Sequence, residues 1–148
     1  RKGVYFDLVS FRKQLDLLQT PNTPAVTLFY AAAKQLDRIR LEGLEARWDR
    51  HQAMSDRCVQ WVDMMCEQRG VALSVLAPEG FRSPTVTCVG LPEGTTGPSV
   101  VSAMKERGLT IGGGYGKLKE TAFRVGHMGD HTVAELDAVL DALREVLS

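Results

Sequence analysis

The chain has 148 residues, 44% of them apolar and 24% charged, with a formal net charge of zero. That is an ordinary globular profile, long enough for one domain with a sizeable core. It lacks the basic excess that nucleic acid or an anionic membrane surface would want. No apolar run approaches the roughly 20 residues of a membrane span. Cys58, Cys66 and Cys88 are odd in number and have no CxxC spacing. They fit buried small apolar positions in a reducing cytosol better than a disulfide or zinc frame, so the expected location is cytoplasmic. The opening RKGVYFDL has no signal-peptide apolar region and no initiator methionine, so the chain is expected to be a piece of something longer.

Residues 1–70 read as helical and 71–148 as strands alternating with helices. In TPNTPAVTLFYAAAKQLDRI, Thr23 suits an N-cap and Pro24 the first helical position, where its missing N–H costs nothing. Val26, Phe29, Tyr30, Ala33 and Leu36 follow at helical spacing, to about Arg40. Gly43 marks a break. A longer helix is expected from about Leu44 to Gln68, with Leu44, Trp48, Met54, Cys58, Trp61, Val62 and Met65 on its apolar side and Gly70 as a left-handed cap. VALSVL (71–76) and TVTCVGL (85–91) read as strands around the polar turn APEGFRSP. Pro98 opens a helix that stops at Gly108. GLTIGG (108–113) and AFRVGH (122–127) read as two further strands. Thr132 to Glu135, T-V-A-E, is a capping box that opens a last helix striped by Val133, Leu136, Val139, Leu140 and Leu143. The fold class is therefore α/β of the α+β kind. A β-β-α-β-β-α unit over 71–148 carries a small, largely antiparallel sheet with helices on one face, preceded by a linking helical segment over 1–70.

Arg124 is the first candidate for chemistry. Alternation along FRVGH puts Phe123, Val125 and His127 on one face and Arg124 on the other. It is either a solvated arginine or a carboxylate anchor, for which its planar fork is suited. Thr23 is either a plain N-cap or an anion contact at a helix start. The glycines Gly112, Gly113, Gly114 and Gly116 are not followed by a helix, as a nucleotide loop would be. They suit an irregular loop and close backbone approach, from which Tyr115 projects. His51, His127 and His131 do not form a metal pattern, and no metal is expected. His127 reads as structural, and Asp130 as a turn or capping carboxylate. No GxSxG elbow or cysteine with a histidine partner is present.

In order and spacing, TPNTP, GLEARWDRH, FRSPTVTCV, GLTIGGGYG and FRVGHMGDHT cover most of the chain. Together they resemble the C-terminal end of the class V aminotransferases, the alanine/serine–glyoxylate branch. The resemblance implies fold type I, with linking helices and a small C-terminal domain that closes over a large cofactor domain. It implies pyridoxal 5'-phosphate as cofactor, and a homodimer acting on small amino acids and 2-oxo acids. It implies that Arg124 holds the substrate carboxylate and that Thr23 reaches the partner subunit's cofactor phosphate. Thr20 stands where some relatives carry a tyrosine that also touches that phosphate. A threonine is shorter and reaches less far than that tyrosine.

The Schiff-base lysine does not match Lys2, Lys34, Lys105, Lys117 or Lys119, so it is expected upstream of Arg1, in a large domain or companion polypeptide. No catalytic residue is then expected in this chain, and the chain alone is expected not to transaminate. The alternative is a non-catalytic small α/β ligand-binding or assembly domain. A desulfurase-like reading would want a cysteine in a mobile loop, whereas Cys88 is expected mid-strand and the other two mid-helix.

Overall fold

The computed structural model describes residues 7–148. The chain divides into two compact units between Glu42 and Gly43. Among the described residues, no helix is long and apolar enough to cross a membrane.

The first unit carries α1 (Leu8–Asp16) and α2 (Val26–Glu42). Asp7 caps α1, its Oδ1 accepting from the N–H groups of Val9 at 3.1 Å and Ser10 at 3.2 Å. The start of α2 differs from expectation. Pro24 makes a tight turn, its carbonyl accepting from the Val26 N–H at 2.9 Å, and the first helical carbonyl to be bonded is that of Ala25. Thr23 therefore precedes the cap position and does not occupy it. No residue of α2 is buried, and Val26, Phe29, Tyr30 and Leu36 are exposed.

The second unit opens with α3 (Leu44–Arg69) after Gly43, whose φ is 88°. This helix packs on the sheet and on α5, although the sequence reading puts it in the linking segment. Its buried stripe is Arg47, His51, Met54, Ser55, Cys58, Trp61, Val62 and Met65. Leu44 and Trp48, expected on that stripe, are exposed. In the first turns the buried positions go to Arg47 and His51, which have polar partners in the loop after β4. Gly70 ends the helix in the left-handed conformation as expected, with φ 66°.

The sheet consists of β1 (Ser74–Val75), β2 (Val86–Gly90), β3 (Gly112–Gly113) and β4 (Ala122–Gly126), in the order β1-β2-β4-β3 with every pairing antiparallel. The two edge strands are shorter than their apolar runs suggest, because helix caps consume their first residues. The Val71 N–H donates to the Met65 carbonyl, and the Leu109 N–H to the Met104 carbonyl. The second is the six-to-one bond of a Schellman ending, and the first spans one residue more. α4 (Gly97–Glu106) is capped by Thr96 and α5 (Val133–Val146) by the expected Thr132–Glu135 box. The Thr132 N–H donates to Glu135 Oε2 at 2.8 Å, and the Glu135 N–H to Thr132 Oγ1 at 3.2 Å. Gly97 permits a close approach there, since a Cβ would lie 2.5 Å from the Ala122 carbonyl oxygen.

Helices α3 and α4 pack on the face of the sheet that carries Val89, Phe123 and Val125, and α5 packs on both helices. Leu136, Leu140 and Leu143 of α5 complete the core. The opposite face of the sheet bears Cys88 and Arg124, cross-strand neighbours in the β2–β4 register.

Candidate functional site

β4 places Arg124 by simple alternation. Phe123 and Val125 are buried against the helices, and Arg124 between them is exposed on the other face. In register, Arg124 lies between Cys88 of β2 and Gly112 of β3. Its Nε donates to the Gly113 carbonyl oxygen at 2.8 Å. Among the described residues, its guanidinium has no carboxylate partner, and its two terminal nitrogens have no recorded acceptor. The arrangement is a cation fixed at its neck, with the fork free to take a planar anion.

Cys88 shares this face, half-buried, and does not belong to the core as expected for all three cysteines. Burial pushes its thiol pKa up, and the Arg124 charge pulls it down. Sequence reasoning missed this neighbour because a cross-strand register cannot be read from either strand alone. Cys58 does lie in the core, its thiol pushed up to about 11 by burial. Cys66 packs against the core, its Sγ donating to the Leu73 carbonyl at 3.2 Å.

His127 is buried on the helix side of the sheet and is structural. Its Nδ1 lies 3.2 Å from the Pro84 carbonyl oxygen and its Nε2 2.9 Å from Thr87 Oγ1. A carbonyl only accepts, so Nδ1 carries the proton and Nε2 accepts from the threonine hydroxyl. Burial lowers its pKa, with the backbone bond to Pro84 opposing, and it stays neutral near pH 7. A cavity of about 470 Å³ beside it is lined by Val125, His127, Leu136 and Val139, on the opposite side of the sheet from Arg124.

The loop after β4 is fastened to α3. Arg47 pairs with Asp130 at 3.0 Å. Arg50 donates to the carbonyls of Gly129, at 3.1 Å, and His131. His51 Nε2 lies 3.3 Å from the Gly129 carbonyl. Asp130 is thus an ion-pair partner, which its place before α5 did not reveal. His131 is exposed, 3.7 Å from Glu135. Among the described residues, no group of three or more His, Cys, Asp or Glu is placed to hold a metal ion.

The glycine segment carries β3 and then a 3-10 turn at Gly116–Leu118. Gly114 is required there, since a Cβ would lie 1.9 Å from the Leu118 carbonyl oxygen. Tyr115 is exposed, as its place in the loop suggests.

In the first unit, Thr20 and Thr23 line a largely apolar cavity of about 620 Å³, with Leu8, Phe11, Leu15 and Phe29. The Thr20 hydroxyl donates to the Asn22 carbonyl at 2.7 Å, so its proton is engaged. Thr23 is exposed, and its hydroxyl has no recorded partner among the described residues. A phosphate needs hydrogen-bond donors, and Thr23 fits that need better than Thr20. Lys2 lies outside the described residues. Lys34 and Lys105 lie in α2 and α4, Lys117 in the 3-10 turn, and Lys119 after it.

No protein-family profile matches the chain. It is 32% identical over 152 residues to the alanine–glyoxylate aminotransferase of Drosophila melanogaster, covering 99% of this chain and 37% of that one. It is 33% identical over 145 residues to a soluble hydrogenase small subunit of a Synechococcus strain, covering 97% of this chain and 36% of that protein. Among solved structures, the alanine–glyoxylate aminotransferase of a Nostoc species superposes with a TM-score of 0.71 at 31% identity, covering 86% of this chain and 33% of that one. The fold is that of the C-terminal part of the pyridoxal-phosphate-dependent aminotransferases. Within that class, the chain is similar to the C-terminal part of the alanine– and serine–glyoxylate aminotransferases. It spans little more than a third of the length of these curated relatives.

Proposed function

We propose that the chain is the small-domain part of a pyridoxal-phosphate-dependent aminotransferase that moves an amino group between a small amino acid, alanine or serine, and a 2-oxo acid such as glyoxylate. The observation that carries this reading is Arg124, held by its Nε on the Gly113 carbonyl with its fork facing away from the core. A bidentate pair with the α-carboxylate fixes one end of the substrate. The amino or carbonyl carbon is then presented to the reacting group, and positioning of this kind can supply a large share of the rate. The bond from Nε to the Gly113 carbonyl fixes the neck of the fork and leaves its terminal nitrogens to a carboxylate.

Thr23 is proposed to donate its hydroxyl to the cofactor phosphate, across the interface of a homodimer. Thr20, its proton already engaged, is proposed to contribute at most an accepting oxygen. The exposed Val26, Phe29, Tyr30 and Leu36 support a subunit contact on α2. When bound, the cofactor supplies the electron sink that lets the bonds at the substrate α-carbon break. Its Schiff-base lysine is proposed to lie in sequence outside these 148 residues, in a large domain or companion polypeptide. The 148 residues by themselves are therefore proposed to be inactive.

The test is borohydride reduction of the complete protein, followed by intact and peptide mass spectrometry and an assay of amino transfer from L-alanine to glyoxylate. A pyridoxyl-lysine outside residues 1–148, together with transfer activity, is the expected result. A protein that holds no pyridoxyl adduct and transfers nothing would leave the non-catalytic binding module as the better reading.

A further inference from the structure

Gly112 sits directly across from Arg124 in the β3–β4 register, and its backbone conformation does not require glycine. No positive φ is found there, unlike at Gly108 or Gly116. On a strand, the absence of a side chain otherwise brings only a loss of packing and of propensity. What the missing side chain leaves room for is the arginine. A Cβ built on Gly112 would lie 3.4 Å from Arg124 Cβ, 3.4 Å from its Nε and 3.5 Å from Nη2. On the other flank, position 88 is filled by a cysteine side chain. The guanidinium therefore lies over β3, where the bare backbone admits it, and its Nε reaches the Gly113 carbonyl at 2.8 Å.

We propose that Gly112 is the positioning residue for Arg124: its bare Cα forms the floor on which the guanidinium lies, and the Gly113 carbonyl locks the orientation of the fork. This rests on the reading of Arg124 as the carboxylate anchor, and it adds which neighbour sets the aim of that anchor. One added carbon at position 112 meets the arginine at 3.4 Å, the short end of van der Waals contact, and nudges the guanidinium without displacing it. A branched side chain, with carbons beyond Cβ, occupies the volume of Nε and Nη2. The fork must then lift off the strand and lose its bond to Gly113. The fold has no reason to object, because a β-branched residue suits an extended edge strand.

The experiment uses the complete protein with its cofactor. Wild type, Gly112→Ala, Gly112→Val and Arg124→Ala are compared in the half-reaction with L-alanine and with ethylamine, which is alanine without its carboxylate. Urea midpoints of all four check folding. A misaimed anchor costs on the order of tenfold to a hundredfold. The expected result for Gly112→Val is a loss of that size in kcat/KM for L-alanine, carried mainly by KM, with ethylamine turnover near wild type. Gly112→Ala shows the same selectivity at smaller size, and it decides the matter if the valine variant unfolds. Equal loss with both amines, or no loss in a protein where Arg124→Ala is crippled, would overturn the role of Gly112 while leaving the anchor intact. An Arg124→Ala protein with undiminished L-alanine turnover would overturn the anchor and this inference together.

Discussion

Replacing His127 by leucine tests how the sheet supports the strand that carries Arg124. The substitution keeps approximate volume and removes both ring nitrogens. Nδ1–H no longer donates to the Pro84 carbonyl, and Nε2 no longer accepts from the Thr87 hydroxyl. Each lost bond is worth about 1 kcal/mol, and each buried polar group left without a partner costs about 1–3 kcal/mol. The Thr87 hydroxyl has an alternative in Cys58, whose thiol it already contacts, so the total should be about 2–4 kcal/mol. With a urea slope of about 2 kcal/mol per molar, the middle of the range for small proteins, that lowers the midpoint by about 1–2 M.

Fluorescence of buried Trp61 reports the transition. The pH dependence gives a second handle. Burial depresses the folded-state pKa of His127 below its ordinary 6.5, so the unfolded chain binds the proton more readily. The stability this contributes is complete above pH 6.5 and declines as pH falls from there towards the folded pKa. The leucine variant lacks that decline, so its gap to wild type should narrow between pH 7.5 and pH 5. A midpoint within about 0.3 M of wild type, or a gap that does not change with pH, would refute the neutral, doubly bonded histidine.

Two further outcomes test the frame around the site. Phe123→Ala empties a fully buried position beside Arg124 and should cost about 3–5 kcal/mol, read as a large fall in urea midpoint. Thr132→Ala breaks the capping box of α5 and should cost about 1 kcal/mol. It should also remove the hydroxyl bond to the Glu135 carboxyl while the stronger backbone N–H bond of residue 132 remains, so the Glu135 resonance should titrate at slightly higher pH in the variant but still below the usual range.

The features legible in the sequence were those set by neighbours within a few residues. The capping box at Thr132–Glu135, the left-handed ending at Gly70 and the alternation of Phe123, Arg124 and Val125 are local consequences of residue type. The order of elements after residue 70 is likewise local, since each strand is bounded by its own turn.

What was hidden depends on partners far along the chain. Arg47 and His51 take the buried positions expected for Leu44 and Trp48 because Asp130 and Gly129, some 80 residues later, supply an ion pair and a hydrogen-bonding carbonyl. Thr23 misses the cap because a turn at Pro24 delays the helix, and two reasonable helix starts differ by only two residues. Cys88 and Gly112 become neighbours of Arg124 only through the antiparallel register, which no single strand declares. The candidate site was legible as one arginine on a strand, and its surroundings were not.

The central claim is that Arg124 holds a substrate carboxylate, and kcat/KM of the complete protein with L-alanine and glyoxylate tests it most directly. A charge-assisted hydrogen bond is worth about 1.5–3 kcal/mol, so Arg124→Ala should lower kcat/KM by about 10- to 100-fold or more, with the cofactor still bound. An Arg124→Ala protein with the wild-type kcat/KM for both substrates would contradict the account.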